Sequence, residues 1–255
     1  AIIEAKLAER CSHGTVNRHL ALMRAILRRC LRDWEWIDRI PTFRLLKEPT
    51  RRIRFLTQTQ ALTLLKELPA HLRELATFGL ATGLRAANIT GLLWDQVDVS
   101  HRRAWIHPDQ AKARKAIAVP LNDMAMGVLG RCAGAHPEYV FTYQGKRIKQ
   151  VSTMAWYHAR KRAGLADFRF HDLRHTWASW HIQHGTPLFA LQELGGWETE
   201  RMVRRYAHLS ADHLAVYVRN SQINGTFLAH QPDQLITPNE KVLENPQLSG
   251  GQGWN

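Results

Sequence analysis

The residues whose types and spacing most clearly suggest chemistry are His171, Arg174 and His175, within FRFHDLRHTWASW. On a helix that turns about 100° per residue, these three side chains share one face. An apolar stripe lies opposite them and consists of Leu173, Trp177 and Trp180. A guanidinium matches two phosphate oxygens, and an imidazole can transfer a proton near neutral pH. The stretch therefore predicts a phosphate-binding helix face, with an ordinary solvated face as the alternative.

Four more polar residues stand at the ends of predicted elements, where a fold could bring them to this helix. They are Arg85, Lys112, Trp197 and Tyr206. Two arginines can neutralise a phosphorus centre during transfer, and a lysine can protonate the leaving 5′ oxygen. A tyrosine hydroxyl, with an ordinary pKa of about 10, can act as nucleophile if cations or a base surround it. These residue types predict transfer of a phosphodiester without a metal or other cofactor.

The elements that must position these residues are mostly helices. A helix with many arginines begins at Ser12 or Thr15, and the segment from Pro41 to Arg54 indicates a linker. Thr57 with Gln60 forms a capping-box pattern, and the helix that starts at Ala70 is predicted to stop at a Gly83 turn. The strands come next, over residues 102–107 and 116–121, and the basic turn between them contains Lys112.

Further helices are predicted after each of several capping residues, and the last of them begins near the end of the motif that contains Tyr206. The predicted caps are Asn122, Ser152 and Ser210, and two further helices are predicted to begin at Thr186-Pro187 and at about Thr199. Near the chain end, hydrophobic periodicity is lost and Pro, Gly, Gln and Asn become frequent. That composition predicts a largely flexible tail over residues 221–255. The fold class indicated is mainly α with a small antiparallel β-sheet.

The charge of the chain favours a polyanionic partner. Lys and Arg total 35 against 22 acidic residues, which gives a net charge of +13 and a pI near 10.2. Three cysteines without C-x-x-C spacing exclude a disulfide framework and predict a reducing, cytoplasmic setting. No apolar run is long enough for a membrane span. The chain opens in helix-like sequence at Ala1, so we expect that a further N-terminal segment precedes it.

Four segments together carry a family resemblance, and they cover roughly Leu56 to Asn220. They are ATGLRAANITGLLWDQVD, AKARKAIAVPLN, FHDLRHTWASWHIQHG and LGGWETERMVRRYAHLS. In order and spacing they resemble the motif boxes of the tyrosine recombinases, the phage integrases and Xer-type recombinases of mobile elements. Four matched boxes are far more specific than any one of them.

The resemblance implies roles for each candidate residue. Arg85 and Arg174 would clamp the phosphate, Lys112 would be the general acid, and His171 would be the first histidine of its box. Trp197 stands where the family has His or Trp, and Tyr206 would be the nucleophile that forms a 3′-phosphotyrosyl bond. His175 matches a frequent but less essential position, and Tyr217 is a competing nucleophile outside the motif.

The resemblance also implies an organisation and partners. Residues 1–50 would be the later part of a helical DNA-gripping domain, residues 51–56 a linker, and residues 57–220 the catalytic domain. The partner would be double-stranded DNA, bound by a homo-tetramer in which the C-terminal segment passes between neighbours. The implied activity is site-specific recombination, without a small-molecule substrate or a membrane.

Two departures and two alternatives accompany this interpretation. Asn88 stands where the family usually has an acid, which weakens the expected support of Arg85 or His171. The basic turn lacks its usual glycine, so Lys115 is a reserve candidate for the acid.

One alternative is a protein of this fold that binds DNA without cleaving it. The other is a zinc protein that uses His171 and His175, although Arg174 would place a cation beside the metal.

Overall fold

The computed structural model describes residues 2–49, 53–110 and 116–210. Within these residues the chain forms ten α-helices and two small antiparallel sheets, as the predicted fold class requires. None of the helices described is both long and apolar enough to cross a membrane. The N-terminal helices are α1 (Ile2–Ala8) and α2 (His13–Arg32). The side chain of Ser12 caps α2 by accepting a hydrogen bond from the backbone N–H of Thr15 at 3.2 Å.

Residues 33–49, which follow α2, have no regular structure, but part of this segment is fixed to that helix. The buried side chain of Asn17 accepts a hydrogen bond from the backbone N–H of Leu46 at 2.8 Å. It also donates to the carbonyl oxygen of Leu46 at 2.9 Å and to the carboxylate of Glu48 at 2.8 Å. Because one amide satisfies both backbone groups of Leu46, it holds this part of the segment against α2 as a strand partner would.

The next three helices are α3 (Gln58–Glu67), α4 (Ala70–Thr82) and α5 (Ala86–Thr90). The predicted capping box at Thr57 is present, because its side chain and that of Gln60 each bond to the other's backbone N–H. Helix α4 ends as predicted at Gly83, which adopts a left-handed φ of 64°.

The larger sheet consists of β1 (Val97–Asp98), β2 (Arg103–Ile106) and β3 (Ile117–Pro120), in that order. Strands β2 and β3 confirm the predicted pair, and Ile106 lies opposite Ile117. Strand β1 was not predicted, and neither was the separate hairpin of β4 (Thr142–Tyr143) and β5 (Lys146–Arg147). The sequence predicts only a short extended piece over residues 139–142, which overlaps β4 at Thr142. Strands of two residues are too short to show an alternating pattern.

The remaining helices are α6 (Asp123–Cys132), α7 (Met154–Arg162), α8 (Asp172–Gln183), α9 (Leu188–Gly195) and α10 (Glu200–Arg204). Asn122 caps α6 as predicted. The predicted cap of α7 was wrong by one residue, because Thr153 rather than Ser152 accepts the hydrogen bond from the N–H of Trp156. The helix predicted after Ser210, Tyr217 and the tail over residues 221–255 lie outside the described residues.

Helix α8 connects the two parts of the hydrophobic core. Its residue Leu173 belongs to the larger cluster, which also contains side chains of α3, α4, α6 and the sheet. Trp177, one turn later, belongs to the smaller cluster with Leu191, Val203 and Tyr206. The candidate nucleophile therefore lies in a core cluster that α8, α9 and α10 build together.

Candidate active site

Arg174 is held inside the protein by carbonyl oxygens, although the sequence pattern had placed it on a solvent-accessible helix face. Its side chain is only 4% exposed. Nη1 donates to the carbonyl oxygen of Gly83 and Nη2 to that of Gly195, both at 2.6 Å. The guanidinium carbon lies 4.0 Å from the centre of the Trp197 ring, in a cation–π contact. Burial lowers the pKa of Arg174 to about 10, and Arg85 lowers it too, so the group remains charged at neutral pH.

Glycine is required at both turns that hold this arginine. A Cβ on Gly83 would lie 2.2 Å from Cε3 of Trp177, and its positive φ disfavours other residues as well. A Cβ on Gly195 would lie 2.0 Å from Cζ3 of Trp197. These glycines let two tryptophans pack directly on the backbone whose carbonyls bind Arg174.

Tyr206 is almost completely buried, with 1% of its surface exposed. Its hydroxyl lies 2.6 Å from Nδ1 of His175, within hydrogen-bond distance. Burial raises the pKa of Tyr206 to about 12, although the charges of Arg174 and Arg205 act in the opposite direction. The hydroxyl is thus protonated at neutral pH and needs a base to become a nucleophile.

His175 and His171 occupy neighbouring but different environments. Burial lowers the pKa of His175 to about 4, and the charges of His171, Arg205 and Arg174 lower it as well. His171 is exposed as a whole residue, but partial burial of its ring lowers its pKa. The charges of Arg174 and Arg85 lower it further, while Asp172 raises it. The two imidazole rings meet edge to face, with centroids 5.2 Å apart. Both histidines are therefore neutral at neutral pH.

Trp197 forms one wall of the site. Its ring stacks on Trp177 with centroids 6.0 Å apart and lies at the same distance from the ring of Tyr206. Because it contacts both Arg174 and the candidate nucleophile, it fixes their separation by packing. No hydrogen bond from its indole to a described residue is present.

Arg85 directly precedes α5, and its positive charge acts on two residues of the site. That charge lowers the pKa values of His171 and Arg174, so the guanidinium lies close to both. Within the described part of the chain, Arg85 forms no side-chain hydrogen bond or ion pair. Asn88 follows Arg85 by three residues and is buried. Its Nδ2 has no hydrogen-bond partner among the described residues. An amide at this position, where the resembled family usually has an acid, therefore forms no salt bridge with Arg85 or Arg174.

The structure brings together five of the six predicted site residues, and the sixth, Lys112, lies outside the described residues. In the sequence it belongs to the connection between β2 and β3, and these strands pair up to Ile106 and Ile117 on either side of that connection. Arg205 was not singled out from the sequence, although it adjoins Tyr206 and its charge acts on three site residues.

The zinc alternative lacks a ligand set in the described ranges. No group of three or more His, Cys, Asp or Glu side chains there is placed to hold a metal ion. In addition, Nδ1 of His175 is already within hydrogen-bond distance of Tyr206. The arrangement instead gathers cations and a hydroxyl, which suits attack on a phosphodiester.

Comparison with known proteins identifies the family of the chain. The model of the phage integrase family matches residues 54–213. The integrase of Salmonella phage P22 is 42% identical over 245 residues, which cover 91% of this chain and 63% of that protein. A shufflon-specific DNA recombinase of Escherichia coli is 27% identical and is covered to 64% of its length. The chain thus spans slightly less than two thirds of these relatives.

Solved structures share the fold. The Tn1549 transposon integrase, in complex with transposon right end DNA, superposes with a TM-score of 0.68 at 18% identity, covering 85% of this chain and 82% of that one. The XerA recombinase gives a TM-score of 0.56 at 20% identity, with 86% and 80% covered. With a family model that spans well over half of the sequence and a relative at 42% identity, the chain belongs to the phage integrase family of tyrosine recombinases.

Proposed function

We propose that the protein catalyses site-specific DNA strand exchange, as in integration and excision, through a 3′-phosphotyrosyl intermediate on Tyr206. The observation that carries the proposal is that the charges of Arg174 and Arg205 both act on the hydroxyl of Tyr206 and lower its pKa against the effect of burial. No carboxylate among the described residues forms an ion pair with either arginine or with Arg85. A DNA phosphate would supply the missing negative charge, and this favours DNA as the partner.

Each group in the site has a distinct role in this proposal. Arg174 has further N–H groups beyond the two that bind carbonyls, and with Arg85 it would neutralise the non-bridging oxygens. The lysine of the β2–β3 connection, Lys112, would protonate the 5′ oxygen as it leaves, with Lys115 in reserve. Trp197 would hold the clamp beside Tyr206. The phosphotyrosyl bond conserves the energy of the broken bond, so neither ATP nor a metal is required.

The organisation proposed for the chain follows the same family pattern. Residues 1–50 would form part of a DNA-gripping domain, and α2 supports this because Arg18, Arg28 and Arg29 are exposed on it. Residues 57–220 would form the catalytic domain. Cations on a helix with few acidic neighbours are suited to contacts with the DNA backbone. As a DNA-acting enzyme of phage or other mobile-element type, the protein would work in the cytoplasm of a prokaryotic cell.

The test of cleavage is a nicked suicide substrate analysed on a denaturing gel. We expect a covalent protein–DNA adduct from the unsubstituted protein and none from Tyr206→Phe, because the phenyl ring has no oxygen to attack phosphorus. Tyr217→Phe is the matched control and should form the adduct normally. An undiminished adduct from Tyr206→Phe would overturn the assignment of the nucleophile.

The same gel tests the second candidate function, a protein that binds DNA without cleaving it. The deep burial of Tyr206 favours that candidate, because a nucleophile must meet the phosphate. Binding without any adduct, seen both with these 255 residues and with the protein expressed from its whole reading frame, would support it.

We further propose that the active assembly is a tetramer in which residues 211–255 of one copy bind the next copy. A groove of about 770 Å³ between β3 and α9 supports this, because it is lined by Ile117, Leu194 and Phe189. Phe189 is 73% exposed, so an apolar segment could cover it.

Deleting residues 211–255 is expected to reduce four-chain assembly on DNA at least about tenfold, measured by native gel or mass photometry. The Phe189→Asp variant should show the same loss, because a carboxylate would have to be desolvated in the groove. Cleavage of a single-site suicide substrate by Phe189→Asp is the control for folding. Assembly unchanged in both variants would contradict the exchange of this segment.

A further inference from the structure

We propose that His175, rather than the exposed His171, is the general base that takes the proton of Tyr206 when the tyrosine attacks DNA. This inference rests on the proposed function. The contact that carries it is the 2.6 Å separation between Nδ1 of His175 and the hydroxyl oxygen of Tyr206. A general base must lie within hydrogen-bond reach of the proton that it removes. Among the described residues, His175 is the titratable side chain in that position.

The direction of the hydrogen bond follows from the protonation states. Burial lowers the pKa of His175 to about 4, so at neutral pH its ring is neutral. Burial likewise raises the pKa of Tyr206 to about 12, so the hydroxyl retains its proton. The hydroxyl therefore donates and Nδ1 accepts, which places the ring hydrogen of His175 on Nε2. This is the tautomer that a base needs before the reaction.

Burial, and after it three neighbouring basic groups, keep His175 in that neutral state. His171 and Arg174 lie on its own helix segment, and Arg205 adjoins Tyr206 beyond α10. All three act on His175 as positive or potentially positive charges. A phosphate held by the arginines would offset these charges, so DNA binding would strengthen the base at the moment when it is needed.

The step balances as follows. The hydroxyl oxygen of Tyr206 forms a bond to phosphorus, and its proton passes to Nδ1 of His175, which becomes an imidazolium. The bond from phosphorus to the 5′ oxygen breaks, its electron pair stays on that oxygen, and the general acid proposed above, Lys112, protonates it. In the rejoining step the 5′ hydroxyl attacks phosphorus and its proton passes back to the neutral amine of Lys112. The bond from phosphorus to the tyrosine oxygen breaks, and the imidazolium of His175 returns its proton to that oxygen.

His171 does not match this role in the structure. Its ring contacts the ring of His175, it has no hydrogen bond to Tyr206 among the described residues, and it is exposed. That position suits a hydrogen bond to a non-bridging oxygen, which agrees with its place beside Arg174 and Arg85. The two histidines of the motif thus divide the work between phosphate binding and proton transfer.

The test uses His175→Asn and DNA with a 5′-bridging sulfur at the cleavage site, because a thiolate leaves without a proton from an acid. Asn can keep a hydrogen bond to Tyr206 through Oδ1, but it cannot accept the proton. We expect its single-turnover cleavage rate to fall at least about 100-fold, a typical contribution of a general base. DNA affinity and thermal stability should stay close to those of the unsubstituted protein. Lys112→Ala should be largely rescued by the sulfur substrate, whereas His175→Asn should not.

The pH profile at low DNA concentration provides a readout that a purely structural role would not alter. With a neutral base in place, the rate on the sulfur substrate should be flat between about pH 7 and pH 9. In His175→Asn, attack requires prior ionisation of Tyr206, so the rate should rise about tenfold per pH unit in the same range. His181→Asn is the matched control, because His181 is also a part-buried histidine of α8 with a lowered pKa but binds Thr186.

Each outcome separates this inference from the proposed function. If the unsubstituted protein forms no adduct, the proposed function fails and the inference fails with it. If it forms the adduct and His175→Asn cleaves at a similar or higher rate with a flat pH profile, the general-base role is overturned while the recombinase assignment stands. A large loss in His171→Asn with a newly rising pH profile would transfer the role to His171.

Discussion

The Arg174→Ala variant is expected to lose DNA cleavage by about 10³-fold or more, and also to destabilise the protein. The loss of cleavage follows because an arginine that neutralises charge on a transferring phosphoryl group typically contributes that much to the rate. The loss of stability follows because Arg174 occupies the carbonyl oxygens of Gly83 and Gly195. Each buried carbonyl left without a partner costs about 1 to 3 kcal/mol.

Arg85→Ala is the matched comparison, because Arg85 has no side-chain hydrogen bond among the described residues. It should lose cleavage by a similar factor while its melting temperature changes little. The measurements are single-turnover cleavage, DNA affinity by fluorescence anisotropy, and thermal unfolding. If both variants lose binding as much as cleavage, the two arginines position DNA rather than stabilise the transition state. If Arg174→Ala melts like Arg85→Ala, the carbonyl contacts do not support the fold.

The second large effect is expected from Gly83→Ala. The added methyl group would meet the ring of Trp177 at 2.2 Å from Cε3, and the residue would also have to keep a φ of 64°. Overpacking a core typically costs about 1 to 3 kcal/mol, and a left-handed backbone adds about 1 to 2 kcal/mol. We expect a loss of about 3 kcal/mol in the free energy of unfolding, which lowers the melting temperature by about 10 °C.

Gly164→Ala separates the two contributions to this loss. Gly164 has a φ of 71°, but a Cβ there would meet nothing within 4 Å. It should therefore show only the backbone penalty, about 1 kcal/mol, in the same thermal unfolding measurement. Equal losses in the two variants would mean that Trp177 moves aside without penalty. Gly83→Ala should in addition slow cleavage, since the carbonyl of this residue binds Arg174.

Local signals in the sequence predicted the elements well wherever one residue decides where a helix begins or ends. Thr57, Gly83 and Asn122 are such residues, and the structure confirms all three. The cap of α7 was assigned to Ser152 rather than Thr153 because two adjacent hydroxyl residues give the same signal. Strand β1 was missed because its partner comes later in the chain, and two residues carry no periodicity.

The site could be predicted only as a set of residues, because its arrangement depends on contacts between distant segments. Helical periodicity assigned Arg174 to an accessible face, since it cannot show that the carbonyls of Gly83 and Gly195 surround that face. The contact between His175 and Tyr206 joins residues 31 positions apart, and no local pattern encodes it.

The two carbonyl contacts of Arg174 also have a consequence for the newly made protein. A chain emerges from the ribosome with its N-terminal part first, so the turn at Gly83 is available long before Gly195 and Tyr206. Arg174 cannot be fixed until both turns are present, because it bonds to residues 91 positions before it and 21 positions after it. Under the proposed mechanism, a partly synthesised chain could contact the chromosome yet would be unable to break it. DNA breakage would begin only once the last segments of the domain had folded around that arginine.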